Sequence, residues 1–210
     1  MDILIAIALS TILLSQGPTS APPPLGLPTP AGEPWRVIQG YGCGTHDGLE
    51  YYALDLVRAD GPSLGAPVRA AAAGTVLAWV APSGTLIIDH GEGFYTQYTH
   101  MEPFGMPERG QLLARGSLVG YVGERGTPGN PHLHFMLFTG EGFGGREGRR
   151  SLPVAFIEGF TLPDIGGCSQ HQGTLLTAAG APRPYTRRVV PLFTREEPVF
   201  CPPGPGLCAL

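Results

Sequence analysis

Lysine is absent from this chain of 210 residues: all 13 cations are arginine. That removes chemistry built on an amine side chain. It excludes the biotinyl and lipoyl carrier modules, whose glycine-rich β-hairpin pattern this sequence shares but which need an acceptor lysine. Charge is scarce as well, at 14% of residues with a net −4, so there is no basic footprint for a nucleic-acid partner. No stretch sustains a 3.6-residue apolar period, so long amphipathic helices are not expected. No Cys-x-x-Cys spacing occurs among the four cysteines, which argues against a four-cysteine metal site. The one long apolar run, Ile3–Leu14, falls short of the roughly 20 residues of a membrane span.

What is present points to strands. Apolar residues make up 42%, enough for a core, and the 32 glycines and 23 prolines exceed a quarter of the chain. Short β-branched or aromatic runs recur between glycines: Val68–Ala70, Gly74–Val80, Thr85–Asp89, Phe94–Tyr98, Leu118–Val122 and Leu133–Phe138. The expected fold class is all-β, an antiparallel sheet or β-sandwich. Residues 1–21 read as a signal peptide or a short N-terminal anchor, with small residues at Thr19, Ser20 and Ala21 for cleavage. Any membrane tether would run through this segment alone, and the expected location is exported: periplasm, cell envelope or extracellular. Residues 22–34 read as a Pro-rich linker, 35–138 as the domain, and 139–210 as a Gly/Pro/Arg-rich extension packed on it. An even cysteine count in an exported chain suggests two disulfides. Three pairings are open; one joins Cys201 to Cys208 across a short turn and Cys43 to Cys168. Oligomeric state is not legible.

The chemistry starts at His132-Leu133-His134. In a strand, alternate side chains share a face, so both imidazoles project together while Leu133 and Phe135 point into the core. Asn130-Pro131 marks a turn just before them, near a rim. Two further histidines and a carboxylate, His46, His100 and Asp55, complete a set suited to zinc. Zinc takes imidazole and carboxylate ligands, and a catalytic site keeps one position for water. Two histidines and one aspartate can hold Zn2+; the remaining two can surround the water. There is no His-Glu-x-x-His helix to provide a glutamate base, so histidines must handle the protons.

The ordered segments Thr45–Leu56, Gly65–Val76, Ile87–Met101, Arg115–Gly123 and Pro131–Phe135 resemble the M23 (LytM/lysostaphin-type) zinc metallopeptidases, over roughly Val37 to Phe138. The resemblance implies an antiparallel β-sheet domain and a zinc-dependent endopeptidase acting on the peptide part of peptidoglycan. It implies that His46, Asp55 and His134 bind Zn2+ and that His100 and His132 flank the metal's water as catalytic residues. An alternative is an inactive M23-like module that binds cell wall or regulates a hydrolase. The departure is the first ligand pair: the usual spacing is His-x-x-x-Asp, whereas eight residues separate His46 from Asp55. Asp47 is a poor substitute, since it would point away from His46's side. Tyr41 is open between an oxyanion donor, a role a family tyrosine fills, and plain packing. His90 reads as a turn residue bonded to backbone, and His171 receives no role.

Overall fold

The computed structural model describes residues 20–141, 145 and 147–179. The apolar N-terminal run and Cys201 and Cys208 lie outside the described residues. Eleven strands form among them: β1 (Pro34–Gln39), β2 (Leu54–Arg58), β3 (Pro67–Arg69), β4 (Gly74–Val80), β5 (Thr85–Asp89), β6 (Phe94–Thr99), β7 (Leu112–Leu113), β8 (Leu118–Tyr121), β9 (Leu133–Glu141), β10 (Glu147–Leu152) and β11 (Leu175–Thr177). A 3-10 turn at Gly48–Glu50 and a short helix α1 (Cys168–His171) complete the set. Nine strands make one sheet in the order β11-β1-β2-β9-β6-β5-β4-β7, with β10 also on β9; β3 and β8 form a separate pair. All these strand pairings are antiparallel, as the alternating sequence pattern required.

β9 is the axis of the molecule. One edge pairs with β6 along residues 134–139. The other edge is shared by β2, opposite residues 133–135, and β10, opposite 137–141. Both edges are therefore paired, and side chains also pack on both faces, so Leu133–Gly140 is buried without a break. Leu133, Phe135 and Leu137 turn to one side and join Leu54, Leu56, Tyr98, Leu86, Ile88, Val68 and Val119 in the main core. Met136 and Phe138 turn to the other side, where they meet Ala53 and Tyr95 in a smaller apolar cluster. His134 shares that second face.

Residues 22–34 are not a free linker. Leu25 and Leu27 are buried in the main core, Leu25 bridges to Phe156, and the Gly26 N–H donates to the Ala71 carbonyl at 2.7 Å. Proline-rich composition signals a lack of regular backbone pairing, and the leucines between the prolines are free to pack. The described part of 139–179 is likewise built into the domain, since β9 runs on to Glu141 and β10 and β11 extend the same sheet.

Cys43 and Cys168 form a disulfide across 125 residues of sequence, tying α1 to the loop after β1. Closing so long a loop restricts the unfolded chain strongly. The Cys43→Ser/Cys168→Ser protein is expected to lose about 3–5 kcal/mol of stability. Denaturant titration beside the parent checks this; coincident midpoints would contradict it.

Candidate metal centre

Strand register assembles the centre. Asp55 on β2 lies directly opposite His134 on β9, and His134 lies directly opposite Thr99 on β6. His100 follows Thr99 at the strand's end, and His132 precedes β9. Four of the five side chains expected from sequence thus come from adjacent ends of three neighbouring strands. The fifth, His46, arrives from the loop between β1 and β2.

His46, Asp55 and His134 each offer one ligand atom, and these atoms lie within 4.8 Å of one another. Asp55 Oδ1 is 3.2 Å from His46 Nε2 and 2.9 Å from His134 Nδ1. His46 Nδ1–H donates to the Gly40 carbonyl at 2.9 Å, which leaves Nε2 facing the carboxylate. A buried carboxylate between two imidazoles, each ring with its far nitrogen engaged elsewhere, is a donor set that fits a divalent metal. The eight-residue interval does not displace His46, because its middle coils into the 3-10 turn and returns the chain to β2. Asp47 is exposed, outside the cluster.

His100 and His132 stand beside this triad, their ring centroids 4.5 Å apart. His132 Nε2 is 3.6 Å from Asp55 Oδ2. Both rings are oriented by backbone carbonyls: His100 Nδ1–H donates to Arg125 at 2.6 Å and His132 Nδ1–H to Asn130 at 2.8 Å. Those bonds fix one tautomer in the neutral rings and leave each Nε2 as a lone-pair acceptor. Burial, with the neighbouring histidines, holds His100 below the ordinary histidine range. Its backbone is left-handed at φ 66°, a conformation non-glycine residues rarely take. The strain is held by Gly123 N–H donating to the His100 carbonyl at 2.8 Å and His100 N–H donating to Ser83 at 3.1 Å.

The electrostatics of the centre are those of a carboxylate sharing protons. Burial pushes Asp55 up, but hydrogen bonds from His134 and His46 outweigh it and hold the carboxyl well below its usual range. Burial pushes His134 down, but hydrogen bonds to Asp55 and Glu50 outweigh it and push it up to about 9. A folded-state value above the unfolded value of about 6.5 stabilises the fold fully below pH 6.5, and that contribution disappears as pH rises through 9. Chelator-treated protein is therefore expected to melt at progressively lower temperature between pH 6.5 and 9, by differential scanning calorimetry. A melting temperature that rises through this window would contradict the protonated His134–Asp55 pair.

Tyr41 is wholly buried, its hydroxyl accepts the Val154 N–H at 2.9 Å, and it packs on Tyr52 and His171, as a core residue does. His90 is bonded to the Ala73 carbonyl and the Thr96 hydroxyl, as a turn residue should be. His171, given no role from sequence, is buried against Gly40, the residue whose carbonyl holds His46; a Cβ on Gly40 would sit 2.5 Å from the His171 Cβ. Three polar residues that no sequence motif singles out share the face of the candidate metal centre: Glu50, Gln97 and Arg149. Glu50 lies inside the unusual interval, which was the available signal. Arg149 lies in the extension, where no pattern marked it.

The sequence profile of Peptidase family M23 matches residues 55–143. The match begins on Asp55 itself, so His46 joins the centre through the fold. The DD-carboxypeptidase/endopeptidase Mpg of Neisseria meningitidis serogroup B is 31% identical over 93 residues, 43% of this chain and 19% of that protein. The peptidoglycan DD-endopeptidase ShyB of Vibrio cholerae serotype O1 is 32% identical over 118 residues, 55% of this chain and 25% of that protein. The chain thus spans a quarter or less of these curated relatives. Among solved structures, the M23 metalloprotease pseudoalterin from the deep sea superposes with a TM-score of 0.54 at 23% identity, over 76% of this chain and 97% of that one, a likeness of fold. The antiparallel sheet, the His46–Asp55–His134 cluster and the profile match agree: over residues 55–143 this chain is similar to peptidase family M23.

Proposed function

We propose that this protein is a zinc-dependent endopeptidase that hydrolyses peptide bonds in the cross-links or stem peptides of bacterial peptidoglycan. The observation that carries the reading is the pairing of a buried His46–Asp55–His134 donor set with two histidines whose Nε2 atoms are both free to accept a proton. The relatives named for peptidoglycan DD-endopeptidase activity support the substrate class. The disulfide supports export into an oxidising compartment such as the periplasm, cell envelope or exterior.

In this reading His46 Nε2, Asp55 and His134 Nδ1 hold the ion. When bound, zinc acidifies a water toward pKa 7 and polarises the scissile carbonyl. The rest of the work falls to side chains. His132 Nε2, beside Asp55 Oδ2, accepts the proton of the attacking water, because its Nδ1–H is committed to Asn130. His100, kept neutral by burial and held by Arg125, stands across from it as a second proton carrier. Once protonated, either ring donates from Nε2, to the developing oxyanion or to the leaving amine.

Mass spectrometry of muropeptides after digestion of purified peptidoglycan, with and without a zinc chelator, tests the reading. New amine termini that vanish with chelator are expected. An intact digest across wall types, from protein that carries zinc, would favour the non-catalytic wall-binding module.

A further inference from the structure

We infer that Glu50 is a positioning residue for His134, and that Arg149 holds Glu50 in place. The inference rests on the proposed zinc site. It explains what the lengthened His46–Asp55 interval contributes.

An imidazole that gives Nδ1 to a metal must carry its proton on Nε2, and a buried N–H needs an acceptor. His134 Nε2 finds one in Glu50 Oε2 at 3.0 Å. Glu50 ends the 3-10 turn Gly48–Glu50, which is closed by the Glu50 N–H donating to the Asp47 carbonyl and the Ala53 N–H donating to the Glu50 carbonyl. An interval of three residues has no room for that turn and the return to β2. The extra residues therefore deliver a carboxylate to the back of the metal ligand. The other oxygen, Oε1, is 3.5 Å from Arg149 Nη2. Arg149 is itself fixed: Nη2 donates to Gln97 Oε1 at 2.6 Å, and the guanidinium lies 4.1 Å over the Phe138 ring. The chain Arg149–Glu50–His134 links β10, the turn and β9. It is a carboxylate–histidine–metal arrangement whose carboxylate and clamp both lie outside residues 55–143. Such a carboxylate fixes the ring's tautomer and orientation and raises its basicity, so it strengthens the ligand.

The test uses the full chain and zinc itself, read by competition with a chromophoric chelator and by the absorption spectrum of the cobalt-substituted protein. Glu50→Ala is expected to weaken zinc binding about 10–100-fold and to change the cobalt spectrum. Glu50→Gln, which keeps an oxygen to accept the Nε2–H, should restore most of the affinity, and Arg149→Ala should give a smaller loss than Glu50→Ala. Glu50→Ala protein with parental zinc affinity and spectrum, whatever its melting temperature, overturns the inference. A parent chain that binds no stoichiometric zinc, or a His134→Ala protein that binds it as tightly as the parent, overturns instead the site on which the inference rests.

Discussion

Asp55→Ala protein is expected to retain no stoichiometric zinc at neutral pH and to lose peptide cleavage by about 10³-fold or more. Asp55 is the only anion of the proposed ligand set, and its Oδ1 is shared by His46 and His134. Removing it leaves two buried neutral imidazoles, which cannot offset the cost of placing a divalent charge in a low-dielectric site. The lost Lewis-acid chemistry amounts to several kcal/mol of transition-state stabilisation, which at about 1.4 kcal/mol per decade sets the scale of the effect. The fold is expected to persist, because Leu54 and Leu56 on either side of Asp55 keep their places in the main core. Metal content by atomic emission, circular dichroism and the muropeptide assay are measured on one preparation. Parental zinc content in folded Asp55→Ala protein would contradict the ligand assignment.

His132→Ala should separate metal binding from turnover. His132 touches the triad only through Nε2 at 3.6 Å from Asp55 Oδ2, while its other nitrogen is spent on Asn130. Its loss leaves His46, Asp55 and His134 in contact. Zinc content is expected to stay near parental while the cleavage rate falls about 10²–10⁴-fold, the usual span of a positioned general base. His100 is close enough to assume part of the task, so the double variant His100→Ala/His132→Ala should fall further than His132→Ala alone. Full activity in His132→Ala protein would end its assignment as proton carrier. Together, Asp55→Ala and His132→Ala divide the five side chains by the readout each one moves: metal first, or rate first.

The departures from expectation are local and have physical causes. Residues 22–34 looked like a linker because proline breaks periodicity, and periodicity is what a sequence displays. Burial of Leu25 and Leu27 depends on a partner surface, including Phe156, that lies far along the chain. Tyr41 sat close enough to His46 in sequence to suggest the site, yet its hydroxyl is used by Val154, 113 residues away. Neither contact leaves a local mark.

The sequence by itself determined the period-2 strands, the all-β antiparallel class, and the two faces of β9, with Leu133 and Phe135 inward and His132 and His134 together. Those properties follow from alternation along a single strand, which is written residue by residue. It also carried the candidate donors: His46, Asp55, His100, His132 and His134. Only the tertiary structure decided that the eight residues after His46 coil and return, that Asp55 stands opposite His134, and that Glu50 and Arg149 stand behind it. The last two join segments that lie 79 to 99 residues apart in the chain. Register between strands is set by which apolar faces can be buried at once, and no single segment contains that information.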